Sequence, residues 1–441
     1  MTQPCFDTST RAIERVAHAQ ERAASPAAQH VFTRLYADTA RATAQQCDAQ
    51  AQASHSLGAL HGVCITLKDN LDVAGETTMA GGVVCEGELA ATHDAPVVQR
   101  LREAGAVVLG KTNMSEFAFS GVGINPHHGT PSNPADRAHA RVPGGSSSGA
   151  AVSVALGLAE VGIGTDTGGS IRIPAALCGL VGYKSTQSRI PRAGVMELSR
   201  TLDTVGSITH SVRACLAVDA VMSQQPLPTT AMDLSGLRFA VPQTLMMDDV
   251  DDTVAQAFVR TLSRISAAGA QVVEIPFHAL GEIASLSLPG GFSPIESYAA
   301  HQARLARGAS QIDPRVVARM MLGKDISAQD YLALHNRRHA WIAEAQQTLQ
   351  GFDAMLCPTV PMVAPLIAPL LEDDDAFFKV NRLLLRNPSA INYMDGCAWS
   401  LPCHDAGELP VGLMVSGMAG QDAHLAGVAL AIENLINSLH A

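Results

Sequence analysis

Residues 237–276 narrow the fold more than any other stretch of the chain. LRFAV at 237–241 has the composition of a buried strand, and TVAQAFVRTLSRISAAGA at 253–270 spaces its apolar residues as a helix does. Gly269 supplies the stop, because a residue without Cβ enters the left-handed region at little cost. Val272–Ile275 then reads as a second strand. A strand, a helix and a strand in this order form a crossover unit with parallel strands. VVQRLREAGAVVLGKT at 97–112 repeats half of the plan, with Gly105 as the stop. The shared AGA is a helix-ending device and no sign of an internal repeat. Alternating helices and strands predict an α/β fold whose largely parallel sheet is covered by helices on both faces.

Around this core, residues 10–53 are Ala-rich and helical in pattern, ending at Ser54–Gly58. Residues 277–350 are rich in helix signals and in Arg and His, and are expected to form a helical cap over the functional site. Near the C-terminus, Leu425, Val428, Ile432, Leu435 and Leu439 recur at three- and four-residue spacing, with Asp422 as the expected N-cap. Residues 225–235 form only a loop-rich connection. With no clean linker, the expectation is a single domain over 1–441, made of an N-terminal helical segment (1–55) and a core (55–441).

Composition excludes several classes of function. Charged residues are only 16% and hydrophobic residues 47%, which argues against disorder. A net charge of −11 leaves no electrostatic footprint for nucleic acid. No run approaches the length of a membrane-spanning helix. The N-terminal stretch is polar and has no apolar h-region, so a cytoplasmic protein is expected. Nine cysteines without a C-x-x-C pair fit reduced thiols. Cys178, within AALCGL, reads as a small packing residue.

Three segments carry chemistry. GIGTDTGGSIRIP at 162–174 sets Ser170 directly after Gly168 and Gly169. Such a turn can aim several backbone N–H groups at one point, next to a hydroxyl nucleophile. GVCITLKDNLDVAG at 62–75 ends a strand-like apolar run at Lys68. Burial there would favour the neutral amine, the form a base requires. PGGSSSGAAVSVALG at 143–157 offers Ser146 as a relay between the two. The bland readings stand beside these: Gly-Gly-Ser is a common turn, and Lys68 could snorkel to Asp69 or Asp72.

Taken together, these segments resemble the amidase signature family. The match is nearly continuous over 143–184 and extends through KDNLDVAG, through KTNMSEFAFSGVGINPHHGTPSNP at 111–134, and to LPVGLMVSG at 409–417. The resemblance implies a large mixed, mostly parallel central sheet and a Ser–cisSer–Lys triad. Ser170 would be the nucleophile, Ser146 the relay on a cis peptide with Gly145, and Lys68 the base. The amides of Thr167, Gly168, Gly169 and Ser170 would form the oxyanion hole, supported by Asp166 and Arg172. Ser148 stands where the family often has glycine. The implied activity is hydrolysis of a small-molecule amide through an acyl-enzyme, with no cofactor and no metal. A dimer is the family's habit. The alternatives are the glutaminase subunit of the tRNA-dependent amidotransferase and a hydrolase of urea-derived, biuret- or allophanate-like compounds. Met79, Phe119, Gly121 and His128 are the expected pocket residues.

Other motifs read as decoys. G-S-S-S-G at 145–149 fits a nucleophile elbow centred on Ser147, but DRAHARVP before it is no hydrophobic strand. His335 and His339 have zinc-ligand spacing without the glutamate a zincin needs. His127 fits a loop, and Arg192 and Arg386 fit surface positions better than a substrate carboxylate.

Overall fold

The computed structural model of the protein describes residues 5–6, 9–53, 58–286 and 291–438. Through them runs one sheet of 11 strands. The strands are β1 (Phe32–Leu35), β2 (Cys64–Lys68), β3 (Val107–Thr112), β4 (Val161–Asp166), β5 (Val181–Lys184) and β6 (Thr204–Thr209). β7 (Arg238–Pro242), β8 (Gln271–Ile275), β9 (Ala354–Pro358), β10 (Cys397–Pro402) and β11 (Gly412–Gly417) complete it. Side by side, their order is β1-β3-β2-β4-β6-β5-β10-β11-β9-β7-β8.

Both faces of the sheet are buried, and the two-residue period of the strands shows how. Along β9, Ala354 and Leu356 join one apolar cluster while Met355 and Cys357 join another. β10 divides in the same way, with Cys397, Trp399 and Leu401 on one side and Ala398 on the other. Helices Asp252–Ala267 and Asp422–Asn437 cover the first face. On the second lie helices of the 277–350 region and helix Asp374–Tyr393.

The crossover unit forms as its sequence requires. β7 and β8 pair in parallel across helix Asp252–Ala267, and Gly269 leaves it at φ +96°. The sheet is mixed, but it is not mostly parallel. Four ladders are parallel and six antiparallel. The excess comes from strands such as β10 and β11, which a short connection joins as a hairpin without any helical crossover to betray them.

Two local expectations are also corrected. Residues 10–53 are not purely helical: β1 lies between helices Ala12–Ala23 and Ala37–Gln52 and pairs with β3. Its four residues are too few to show a period beside two Ala-rich helices. Most of the expected end of that segment, 54–57, lies outside the described residues. Asp422 is not an N-cap, a position Gln421 takes without a side-chain bond. Its carboxylate instead accepts from Tyr183 Oη at 2.7 Å and Thr186 Oγ1 at 2.6 Å, so tertiary donors outbid the local amides. No helix of the described residues is long and apolar enough to cross a membrane.

Candidate active site

The site begins at the end of β2. Ile65 and Leu67 point into an apolar cluster, which turns Thr66 and Lys68 to the opposite face. There helix Ser148–Ala155 crosses closely, and Thr66 Oγ1 meets Ser153 Oγ at 3.0 Å. The glycines of GIG permit this approach. A Cβ at Gly162 would lie 2.6 Å from the Ala150 carbonyl oxygen, and one at Gly164 the same distance, 2.6 Å, from Ser147 Oγ.

Lys68 is thereby fully enclosed. Its Nζ donates to Ser146 Oγ at 2.7 Å and Thr165 Oγ1 at 2.8 Å. Burial lowers its pKa to about 7, against an upward pull from Asp203 and Asp166. The snorkelling alternative fails, because the nearby acids have other partners. Asp69 lies 3.4 Å from Lys111 Nζ, and Asp72 accepts from Thr78 Oγ1 at 2.5 Å.

Ser146 follows a cis Gly145–Ser146 peptide. Gly145 N donates to Gly121 O at 2.8 Å, and Ser115 N donates to Ser146 O at 3.1 Å. The next amide, Ser147 N, donates to Ser170 O at 3.2 Å and ties the relay segment to the Gly-Gly-Ser turn. Among the described residues no direct hydrogen bond joins the hydroxyls of Ser146 and Ser170.

The turn itself is organised around Asp166. This fully buried carboxylate accepts from Gly169 N at 2.9 Å, Ile171 N at 3.2 Å, and Arg172 Nε and Nη2 at 3.0 and 2.9 Å. Burial pushes its pKa up, but the Arg172 guanidinium and the hydrogen bonds outweigh that and hold it well below the usual carboxylate range. Gly169 stands at φ +124°, with Pro388 Cβ only 2.5 Å from where its own Cβ would be. The Gly169 N–H, one of the four amides expected to face an oxyanion, is given to Asp166 instead.

Ser170 opens onto a small cavity of about 60 Å³. Thr167 and Gly168 share its floor, Phe119 and Ser120 form one wall, and Leu198 and Leu202 another. The roof carries Arg319, Leu385, Ser389 and Tyr393. Of the four expected pocket residues, only Phe119 lines this space. Met79 packs against the apolar cluster of Phe117, Ala118 and Phe119 without lining the cavity, and Gly121 N donates to Asn381 Oδ1 at 2.9 Å. His128 is held by its own N–H, which donates to Asn125 Oδ1 at 3.0 Å.

The roof was not legible in the sequence. Arg319 Nη1 donates to the Phe119 carbonyl, and its guanidinium sits 4.2 Å over the Phe119 ring. Burial lowers its pKa to about 10, and among the described residues no carboxylate lines the cavity beside it. Asn392 carries no motif either, although its Oδ1 accepts from Arg172 Nη2 at 2.6 Å and its Nδ2 donates to Asp166 at 2.9 Å. One local mark existed: Pro388 inside helix Asp374–Tyr393, the residue that meets Gly169.

The decoys resolve by position. Ser147 is buried and donates to Thr165 O at 3.3 Å. His335 packs edge-on against Phe292 and Tyr331 while His339 is exposed. His127 Nε2 lies 3.2 Å from Glu116 Oε1. Arg192 donates to Arg200 O at 2.6 Å and Arg386 to Asn387 Oδ1 at 3.0 Å, both away from the cavity lining. Cys178 packs against Val31, Val152 and Leu180, and burial pushes its thiol pKa up.

A fully buried lysine amine donates to a serine beside a Gly-rich turn, the kind of site a carbon–nitrogen hydrolase uses. The chain belongs to the amidase signature family: the family model described as Amidase matches residues 14–426. It is similar to 2-amino-5-chloromuconic acid deaminase of Comamonas testosteroni, 36% identical over 91% of this chain and 87% of that protein. It is also similar to one of the chains of the glutamyl-tRNA(Gln) amidotransferase of Acidothermus cellulolyticus, at 33% identity over 95% of this chain and 89% of the other. A solved amidase superposes with a TM-score of 0.88 at 29% identity, covering 97% of this chain and 96% of the other. The protein is an amidase, a hydrolase of carbon–nitrogen bonds in small-molecule amides.

Proposed function

We propose that amide hydrolysis proceeds through a Ser170 acyl-enzyme with Lys68 as base and Ser146 as proton relay. Neutral Lys68 takes the Ser146 proton as Ser146 takes that of Ser170, whose Oγ attacks the amide carbon. The amides of Thr167, Gly168 and Ser170 stabilise the tetrahedral oxyanion. The relay returns the proton to the leaving nitrogen, and water then cleaves the ester. The observation that carries this reading is the 2.7 Å contact from a fully buried Lys68, its pKa near 7, to Ser146. The 11-stranded sheet supports treating 1–441 as one catalytic unit. Nine unpaired cysteines support a reducing, cytoplasmic setting.

Arg319 favours substrates that carry a carboxylate near the scissile bond. It is the one charged side chain lining the cavity among the described residues, and it has no acid beside it there. The name of the Comamonas relative, which denotes an acid, agrees with this. We favour a stand-alone enzyme over a component of an amidotransferase or a hydrolase of urea-derived compounds. The test is acyl-enzyme trapping. Rapid acid quench of the purified chain, by itself, with carboxylate-bearing amides should leave an acyl mass on the Ser170 peptide, with ammonia or amine released. Turnover without any adduct in wild type, or an adduct that survives in Ser170→Ala, would overturn the reading.

A further inference from the structure

We propose that Asp203 is a positioning residue for catalysis, holding Thr167 of the oxyanion turn in place and coupling it to the Leu198–Leu202 wall of the substrate cavity. The observations are geometric. Asp203, just before β6, is buried at 4% exposure. Its Oδ1 accepts from Thr167 Oγ1 at 2.6 Å and Ser199 N at 3.1 Å, while Oδ2 accepts from Leu198 N at 3.0 Å. One carboxylate therefore ties the turn that presents the oxyanion donors to the loop that lines the pocket.

The loop is pinned on its far side as well. Glu296, in helix Phe292–Gly308, accepts from Thr201 N at 3.0 Å and from the hydroxyls of Ser199 and Thr201. Tyr331 Oη adds a bond to Glu296 at 2.5 Å, and His301 Nε2 lies 3.0 Å from Glu197 O. The helical cap and the oxyanion turn thus meet through residues 197–203, and Asp203 is the last link. A charged acceptor holds a hydroxyl more firmly than a neutral one, so the Thr167 geometry is set before substrate arrives.

Asp203 also acts on Lys68 at a distance. The charged groups that act on Lys68 are Asp203 and Asp166, and both favour its ammonium form. On Asp203 act the hydrogen bonds from Thr167 and the amides of Ser199 and Leu198, and one charged group, Arg192. Burial raises the Asp203 pKa to about 6, which leaves it ionised near neutrality. Removing its charge therefore lowers the Lys68 pKa and extends activity to lower pH.

This inference rests on Lys68 being the base. The experiment is a pH profile of kcat/KM for wild type, Asp203→Asn and Thr167→Val, with thermal melts alongside. Asp203→Asn should move the acid limb down by about one pH unit, the scale of a neighbouring opposite charge. Thr167→Val should lower plateau kcat about tenfold or more, as loss of an aligned oxyanion donor does, with KM within about threefold. An unmoved limb in folded Asp203→Asn, or wild-type kcat in Thr167→Val, overturns the proposal. If Asp203→Asn does not fold, the plateau kcat of Thr167→Val decides alone. Failure of the Lys68 reading looks different: wild type itself would then lack an acid limb near neutrality.

Discussion

The floor and the roof of the cavity are built on opposite principles. The floor comes from β2, β4 and the two Gly/Ser turns, and its groups act largely through backbone geometry. Gly162, Gly164 and Gly169 are there because a Cβ would strike Ala150, Ser147 or Pro388. The roof comes from the Arg319 helix and helix Asp374–Tyr393, with the 197–203 loop as a wall beside it, and it acts through side chains. Backbone geometry tolerates few residue types, so the floor leaves a recognisable string of letters. A side-chain roof can be rebuilt position by position while its helices stay packed. On the proposed mechanism, the contrast separates chemistry from specificity, with the floor acting on the amide bond and the roof selecting which amide enters.

That contrast can be broken in order of expected effect. Ser170→Ala and Lys68→Ala should each lower kcat by ~10⁴-fold or more, and the double variant by little beyond either, since members of one relay are not additive. Stopped assays with a sensitive ammonia readout check this, and additive losses would separate Lys68 from the nucleophile. Gly169→Ala comes next. Its Cβ would meet Pro388 at 2.5 Å with φ at +124°, displacing the neighbouring amides. A loss of ~10²–10³ in kcat is expected, the cost of a misplaced oxyanion donor. Wild-type kcat in this variant would mean that the roof yields to the floor.

The roof should answer differently. Arg319→Met should raise KM for carboxylate-bearing amides about 10- to 100-fold, the worth of a charge-assisted pair. For neutral amides of the same size kcat should be nearly unchanged, and an equal loss for both would assign Arg319 to packing over Phe119. The smallest effect is the shape of the wild-type pH profile. Lys68 must be neutral to act and its pKa is about 7, so activity is full above that value. Below it, kcat/KM should fall about tenfold per pH unit as the amine protonates. A flat profile to about pH 5 would remove the lysine from the base role.

Legibility followed the same division. Lys68, Ser146, Ser170, Asp166 and Arg172 stand together in space because each belongs to a segment whose glycines, serines and strand period constrain it locally. The crossover units at 97–112 and 237–276 were equally readable, with helix stops at Gly105 and Gly269. β1 and the antiparallel hairpin of β10 and β11 were not, because short strands without crossovers carry no periodic signal. Met79, Gly121 and His128 do not line the cavity with Phe119, because membership of a loop near the site does not by itself aim a residue into it.

The amino-acid sequence alone determined the chemistry of the floor: an amine, two hydroxyls and a glycine turn that can only be close-packed. Tertiary structure alone decided which side chains face them. Arg319, Asn392 and Asp203 sit far from Ser170 along the chain, on elements with ordinary helix or loop composition. Their roles arise from long-range packing and from burial, which also brings an ordinary lysine to neutrality near pH 7. Neither packing nor burial is a property of any local string of residues.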